Sequence, residues 1–250
     1  MDTILSSKIL STNVFFPSKG ELVEIINDFE IYRGKYFVVT NAHNVYLASE
    51  DEYIFKANED AVACISDSYI LNYCSSFFHK KNVDEVFLGS KIMTIFLEEA
   101  SKRSLKVGLF GSSLENIDTL KAKISIDYPG ISVAYSLSPP FRELTEEENR
   151  KITYDIKASE LDVLFVSLGC PKQEKWMHLN AKTTDCMNIG VGAAFDFLSK
   201  TSEDIPNIIH KYGFGWLYRF LRNPIRLFKR YFIYGSHFLL KILIQKTKIK

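Results

Sequence analysis

One strand-to-helix corner, SLGCPKQEKWM at Ser167–Met177, constrains the fold of this chain more than any other stretch. The run before it, DVLFV at Asp162–Val166, is apolar and β-branched, which is typical of a strand buried on both faces. From Pro171 onward the pattern is helical, with Glu174 in the first turn. The stretch therefore predicts a buried strand that ends at Gly169 and runs into a helix, which is the repeating unit of an open α/β sheet.

The same unit recurs along most of the chain. Helical patterns such as Glu21–Phe29, Leu114–Tyr128 and Thr145–Ser159 alternate with the apolar runs. This alternation predicts an α/β fold with a mostly parallel sheet and helices on both faces. The remaining predicted strands are Lys35–Thr40, Ala61–Ser66, Asp84–Ser90, Lys106–Ser113, Ile131–Leu137 and Cys186–Gly192. The strand that begins at Lys106 ends in a Gly-Ser loop.

Polar residues follow several of these strands, at the edge where open α/β sheets bind ligands. Thr40 and Asn41 could hydrogen-bond a ligand, and Asp67 could act as a general base. The loop that begins at Gly111 could hold a phosphate on its backbone N–H groups. Gln173 and Glu174, at a helix start that favours anions, could hydrogen-bond sugar hydroxyls.

Each of these residues also has a purely structural alternative. Asn41 and Asp67 could cap the helices that follow them. The Gly111 loop could be only a tight turn, and Gln173 and Glu174 could be ordinary polar residues in a well-capped first turn. These local patterns alone do not decide between the two sets of roles.

The C-terminal segment differs from the rest of the chain in charge. The chain has 31 basic and 30 acidic residues, and residues 205–250 contain ten of the basic residues and none of the acidic ones. Residues 1–204 therefore form an acidic body with 21 basic residues against 30 acidic ones. This division predicts a core over residues 1–204 and a basic appendage over residues 205–250, with an anionic partner for the appendage.

The appendage is predicted to be helical and is rich in aromatic residues. Arg219, Arg222, Arg226 and Arg230 would share one helical face, and Pro224 predicts a kink. A basic stripe beside an aromatic face could contact a membrane surface with anionic headgroups. The alternative is a C-terminal helix that packs its aromatic side chains on the core and exposes its charges.

Other features narrow the class of protein. The four cysteines have neither CxxC spacing nor a histidine cluster, so they predict reduced intracellular thiols. The N-terminal residues do not resemble a signal peptide, and no apolar run reaches the ~18 residues of a membrane-spanning helix. We therefore expect a protein that is cytosolic or attached to a membrane face.

Two other functional classes fit less well. A nicotinamide-dependent enzyme would need GxGxxG after an early strand, and the nearest string, GVGAAF at Gly190–Phe195, comes late and lacks the third glycine. A nucleic-acid-binding module would use the basic appendage, but the acidic body counts against a broad nucleic-acid footprint.

Five strings together resemble the WecG/TagA/CpsF family of bacterial glycosyltransferases. They extend from about Phe37 to Tyr231 and read VTNAH, SPPFRELTEEE, VSLGCPKQEKWM, GVGAAFDFLS and GWLYRFLRNPIRLFKRY. The resemblance implies a Rossmann-like core with a C-terminal appendage that docks to the membrane and helps to close the active site. Ser66-Asp67-Ser68 stands where the family has Pro-Asp-Gly.

The resemblance also implies a reaction. The family transfers a sugar from a UDP-sugar to a polyprenyl-diphosphate-linked acceptor, with inversion and with no metal or other cofactor expected. The donor sugar would be of the N-acetylmannosamine, glucose or glucuronate type, in the synthesis of teichoic acid, capsule or exopolysaccharide. The protein would act at the cytoplasmic face of the cell membrane as a peripheral protein. A degenerate family member that binds sugar nucleotides as a partner subunit, without transferase activity, is the alternative.

The resemblance assigns residue roles as well. Asp67 matches the proposed general base, and Thr40 and Asn41 match residues that line the pocket. Gln173 and Glu174 match a pair near the donor. Arg219, Arg226 and Arg230 match appendage arginines that engage diphosphate. The sequence does not fix the oligomeric state, and a buried partner surface on the appendage would favour a homo-oligomer.

Overall fold

A single sheet organises the chain in the computed structural model, which describes residues 5–79, 85–199, 217, 220–221 and 224–248. Eight strands form this sheet within those ranges, in the order β1-β2-β4-β3-β8-β7-β5-β6. Only β1 and β2 pair antiparallel, and every other neighbouring pair is parallel. The predicted α/β class with a mostly parallel sheet is therefore confirmed. The strands are β1 (Ser6–Ile9), β2 (Thr12–Phe15), β3 (Tyr36–Thr40), β4 (Ala63–Ser66), β5 (Lys106–Gly111), β6 (Ser132–Leu137), β7 (Val163–Ser167) and β8 (Met187–Gly190).

Helices follow the strands and cover the sheet. A short 3₁₀ helix, Phe29–Tyr32, precedes β3, and a π-helical segment, Lys229–Tyr234, joins the last two α-helices. The α-helices of the described residues are α1 (Lys19–Asn27), α2 (Ala42–Ala48), α3 (Glu52–Glu59), α4 (Tyr69–His79), α5 (Gly89–Lys102), α6 (Leu114–Asp127), α7 (Glu146–Ala158), α8 (Lys172–Thr184), α9 (Ala194–Leu198), α10 (Pro224–Phe228) and α11 (Gly235–Lys248).

The central strands are buried on both faces, and their side chains pack into two separate apolar cores. In β7, Val163 and Phe165 belong to one apolar cluster, whereas Leu164 and Val166 belong to the other. Successive side chains of a strand point to opposite faces, so an uninterrupted apolar run is what a strand covered by helices on both sides requires. The DVLFV run therefore has the composition that its position in the sheet needs.

The predicted strand over Asp84–Ser90 is wrong within the described part of that range. Residues 85–88 form no strand, and α5 begins at Gly89. The free edge of β4 is occupied by β2, whose Val14 and Phe15 pair with Cys64 and Ile65. The N-terminal hairpin of β1 and β2 thus occupies the edge of the sheet beside β4, and the sequence analysis did not predict this hairpin. Phe87 is buried in the core but pairs with no strand.

Helix α11 lies against the edge of the core and is held there by polar contacts. Lys241 donates to the carbonyl oxygen and the hydroxyl of Ser49 at the end of α2. The Gln245 amide donates to the Lys8 carbonyl and accepts from the Leu10 N–H in the β1–β2 turn. Lys246 donates to the Phe77 carbonyl near the end of α4. The predicted boundary at residues 204/205 lies outside the described residues.

The described part of the chain contains no helix that is both long enough and apolar enough to span a membrane.

Gly111 gives the first testable prediction. Its φ is +119°, and a Cβ there would lie 2.3 Å from the Ser167 carbonyl oxygen. We therefore expect Gly111→Ala to lower the free energy of unfolding by about 2 kcal/mol or more, because it adds strain and a backbone clash. In Gly20→Ala, the control, the new Cβ meets only the Ser18 hydroxyl, at 3.8 Å. That change should be neutral or stabilise by up to about 1 kcal/mol. Urea unfolding measures both, and equal stabilities of Gly111→Ala and wild type would contradict the prediction.

Candidate active site

A cavity of ≈ 1450 Å³ opens along the carboxyl edge of the sheet. Residues that follow β3, β4, β5, β7 and β8 all line it, including Asn41, Asp67, Ser112, Gly169 and Gly192. Parallel strands bring their carboxyl ends to one edge, which is why residues from distant parts of the chain meet there. The cavity therefore lies at the edge of the sheet where the sequence analysis predicted a ligand site.

Asp67 lies on the cavity wall, between the end of β4 and the start of α5. Its backbone N–H donates to the Thr40 carbonyl oxygen at 2.8 Å, which fixes the end of β4 to the end of β3. Its Oδ1 accepts from the N–H of Gly89, the first residue of α5, at 2.9 Å. The positive end of the α5 dipole therefore stabilises a carboxylate at the cavity surface.

Thr40 and Asn41 serve the local structure as well as the site. Asn41 Oδ1 accepts from the N–H groups of His43 and Asn44, so the capping alternative holds for Asn41, which also lines the cavity. Thr40 is fully buried and donates to Asn44 Oδ1 at 2.7 Å. Asn58 donates to the same oxygen at 2.8 Å. Thr40 thus stabilises the start of α2 through its hydrogen bond to Asn44 and does not line the cavity.

The Gly111 loop makes a tight turn against β7. The N–H of Ser112 donates to the Ser167 carbonyl at 2.9 Å, and Ser112, not Gly111, lines the cavity. The Ser112 hydroxyl and the Asn116 amide each donate to Asp196 Oδ1 at 2.8 Å. The sequence reading missed Asp196 and Asn116 as site residues. Asp196 lies within the GVGAAFDF string, which was the available signal.

Gln173 and Glu174 lie at different depths. Gln173 lines the cavity, and its Oε1 accepts from the N–H of Gly192 at 3.1 Å. The bond from Gly192 ties the start of α8 to the turn after β8, and Gln173 Nε2 donates to Glu174 Oε1 at 3.0 Å within α8. Glu174 is fully buried, and its Oε2 has no hydrogen-bond partner among the described residues. Burial disfavours the charged form of the Glu174 carboxyl group and raises its pKa above the ordinary value.

Arg230 reaches the cavity from the π-helical segment. In the same segment, Tyr234 stacks on His43 at 5.3 Å and on Tyr46 at 5.4 Å, measured between ring centroids. This stack fastens the segment that carries Arg230 to α2. Of the other predicted arginines, Arg219 lies outside the described residues, and only the backbone of Arg226, in α10, is described.

A comparison with protein families identifies the chain. The model of the glycosyl transferase WecG/TagA/CpsF family matches residues 7–250. The chain belongs to this family.

Curated relatives agree with this assignment over part of their length. A Bacillus spizizenii protein named N-acetylglucosaminyldiphosphoundecaprenol N-acetyl-beta-D-mannosaminyltransferase is 27% identical over 139 residues, which is 55% of this chain and 52% of the relative. A Staphylococcus aureus protein of the same name is 29% identical over 164 residues, 65% of this chain and 61% of the relative. The match thus spans about half to three fifths of the length of these relatives.

In this member of the WecG/TagA/CpsF family, the described residues contain no group of three His, Cys, Asp or Glu side chains placed to hold a metal ion. The cavity wall of this family member offers carboxylates, amides and hydroxyls for binding substrates, together with the cationic side chains of Arg142, Lys172, Lys175 and Arg230.

His43 gives a prediction about pH. Burial and, to a smaller extent, the charge of Arg230 lower the pKa of His43 from 6.5 to about 4. Between these values the unfolded chain binds a proton that the folded protein does not, so His43 makes the folded state less stable as pH falls from 6.5 to 4. His43→Phe keeps a ring against Tyr234 and removes the titration. We expect this variant to lose less stability than wild type over that pH range in urea unfolding. Equal losses would show that His43 does not titrate in this way.

Proposed function

We propose that the protein is an inverting glycosyltransferase that moves a sugar from a UDP-sugar to a polyprenyl-diphosphate-linked saccharide. The observation that carries the proposal is the convergence of Asp67, Gln173 and Arg230 on one cavity at the carboxyl edge of the sheet. A carboxylate suits an acceptor hydroxyl, and a guanidinium suits a diphosphate. The names of the relatives favour N-acetylmannosamine as the sugar and N-acetylglucosaminyl-diphosphoundecaprenol as the acceptor.

The proposed reaction is a direct displacement. The Asp67 carboxylate takes the proton of the acceptor hydroxyl, whose oxygen attacks the anomeric carbon of the donor. The bond from that carbon to the UDP oxygen breaks, so UDP leaves with the electron pair and the anomeric configuration inverts. The Gly89 N–H at the start of α5 holds the Asp67 carboxylate in place at the cavity wall before the attack.

Arg230 is proposed to hold a diphosphate at the mouth of the cavity. The Tyr234 stack holds the segment that carries Arg230 against α2. The charge of Arg230 therefore has a fixed position relative to the strand ends that line the cavity. Its guanidinium can pair with two phosphate oxygens at once, and it stabilises negative charge that develops nearby. Arg219 and Arg226 remain candidates for the same role.

The surface around the appendage supports a place at the cytoplasmic face of the membrane. Ile225 is 95% exposed, and Phe228, Leu240 and Ile244 are also exposed. Lys229 of the π-helical segment and Lys248 of α11 are exposed as well. Apolar side chains flanked by lysines favour contact with anionic lipid. Phe238, by contrast, packs in the core, so the aromatic residues of the appendage are divided between the two predicted roles.

Metal independence is part of the proposal. The residues assigned to the reaction supply the base and the cation themselves, so we expect transfer to continue at the same rate in excess EDTA. A rate that EDTA abolishes and Mg²⁺ restores would contradict this.

Asp67→Asn tests the base. The amide keeps the size of the side chain but cannot take a proton, so kcat should fall at least about 100-fold. UDP binding, measured by calorimetry, should stay near the wild-type value. Asp118→Asn, on the exposed face of α6, is the matched control and should leave both unchanged. Wild-type turnover by Asp67→Asn would exclude this role.

Arg230→Ala tests the cation. Removing the guanidinium should raise KM for the lipid-diphosphate acceptor about tenfold or more, because a charge-assisted pair of hydrogen bonds is lost. Lys248→Ala, which removes a charge at the far end of α11, is the control and should have little effect in detergent. If the two variants had the same KM, Arg230 would not bind the acceptor diphosphate.

The alternative, a sugar-nucleotide-binding subunit without transferase activity, makes a different prediction. Such a protein would bind UDP-sugars, but wild type would release no UDP with any acceptor in a panel of lipid-diphosphate saccharides.

A further inference from the structure

Helix α4 presents one apolar stripe to the cavity and the surface beyond it. Tyr69, Tyr73 and Phe77 recur every four residues, so they share a face of the helix. Tyr69 and Tyr73 line the cavity near Asp67, and Phe77 continues the stripe outward. Tyr73 is 68% exposed and Phe77 is 47% exposed, although the opposite face of α4 is buried through Leu71 and Phe78.

The appendage presents a second apolar stripe beside the first. Phe232, Ser236, Leu239 and Leu243 lie three or four residues apart, and the first three line the same cavity. Leu239 is 50% exposed and Leu243 is 59% exposed. The only hydroxyl in this stripe, on Ser236, already donates to the Phe232 carbonyl at 2.6 Å.

The two stripes form the walls of one groove. The buried faces of α4 and α11 join in a single apolar cluster that contains Leu71, Phe78, Phe238 and Ile242. At the outer end, the Lys246 ammonium lies 4.6 Å from the centre of the Phe77 ring. At the inner end, both stripes reach the cavity that Asp67 and Arg230 line. We name the channel lined by Tyr69, Tyr73, Phe77, Phe232, Leu239 and Leu243 the α4–α11 groove.

We infer that the α4–α11 groove binds the first isoprene units of the acceptor's polyprenyl chain. The inference rests on the proposed function, since it requires a lipid-diphosphate acceptor. With the diphosphate at Arg230 and the saccharide hydroxyl at Asp67, the hydrocarbon chain must leave the cavity, and the groove offers an apolar exit that begins beside the cation.

The chemistry of the groove selects this occupant. A saccharide or a peptide would need hydrogen-bonding groups along the whole groove. The hydroxyls of Tyr69, Tyr73 and the engaged Ser236 belong to residues that line the cavity, whereas Phe77 and Leu243 beyond it offer only apolar surface. A branched hydrocarbon gains free energy with each methylene that it removes from water, so acceptor affinity should increase with chain length.

The test compares two acceptors in detergent micelles, where adsorption to a bilayer plays no part. One is N-acetylglucosaminyl-diphosphoundecaprenol, and the other carries a methyl group in place of the polyprenyl chain. The test variant is Tyr73→Ala/Leu239→Ala. Its control is Tyr154→Ala/Ile126→Ala, which removes an exposed tyrosine and an exposed isoleucine outside the cavity. UDP release from UDP-N-acetylmannosamine gives KM and kcat.

We expect the groove variant to raise KM for the undecaprenyl acceptor about tenfold, because both walls lose apolar contact with the chain. KM for the methyl acceptor and both kcat values should change less than about twofold, and the control variant should match wild type throughout. Thermal unfolding shows whether both variants fold.

Other results overturn the inference in distinguishable ways. An equal KM change for both acceptors, or none for either, excludes chain binding in the groove while transfer by wild type still supports the proposed function. If the groove variant kept the wild-type KM and kcat in micelles but sedimented less with anionic vesicles, the groove walls would contact the bilayer and not the acceptor chain. Absence of transfer by wild type with either acceptor, across the panel of UDP-sugars, would overturn the proposed function and this inference with it.

Discussion

The parallel pairing of the strands is the constraint on which the rest of this structure depends. Along the sheet order β4-β3-β8-β7-β5-β6, every neighbouring pair of strands is parallel. All six strands therefore end at the same edge of the sheet. Polar side chains after the strands thereby meet, although they are far apart in the chain. The central strands are mostly apolar because both of their faces are covered by helices. The division between an apolar sheet and a polar edge is what makes a ligand cavity compatible with a stable core.

The polar residues at this edge stabilise one another as well as facing the cavity. Gln173 joins the start of α8 to the turn after β8, and Asp67 joins the end of β4 to the start of α5. Asp196 accepts hydrogen bonds from the loop after β5. These contacts hold side chains in one geometry before any ligand arrives, which reduces the ordering that binding would otherwise require.

The appendage completes the cavity through a different kind of contact. Ring stacking by Tyr234, the side-chain contacts of Lys241 and Lys246, and the Gln245 amide hold it against three separate elements of the core. Its apolar side chains are divided accordingly, with Phe238 inward and Leu239 and Leu243 outward. The same helix can therefore close the cavity on one side and remain exposed on the other.

The sequence by itself determined the α/β class, the central strands, the helix starts and the family, because hydrophobic periodicity and capping residues are local properties. The capping box of Thr145 and Glu148 is a case in which both partners lie within one turn. Only the tertiary structure decided the position of β2 beside β4 and the burial of Phe87 in the core outside the sheet. It also decided the burial of Glu174 beneath Gln173 and the entry of Arg230 into the cavity. These depend on packing between segments that are distant in the chain, and no local pattern encodes which surfaces will meet.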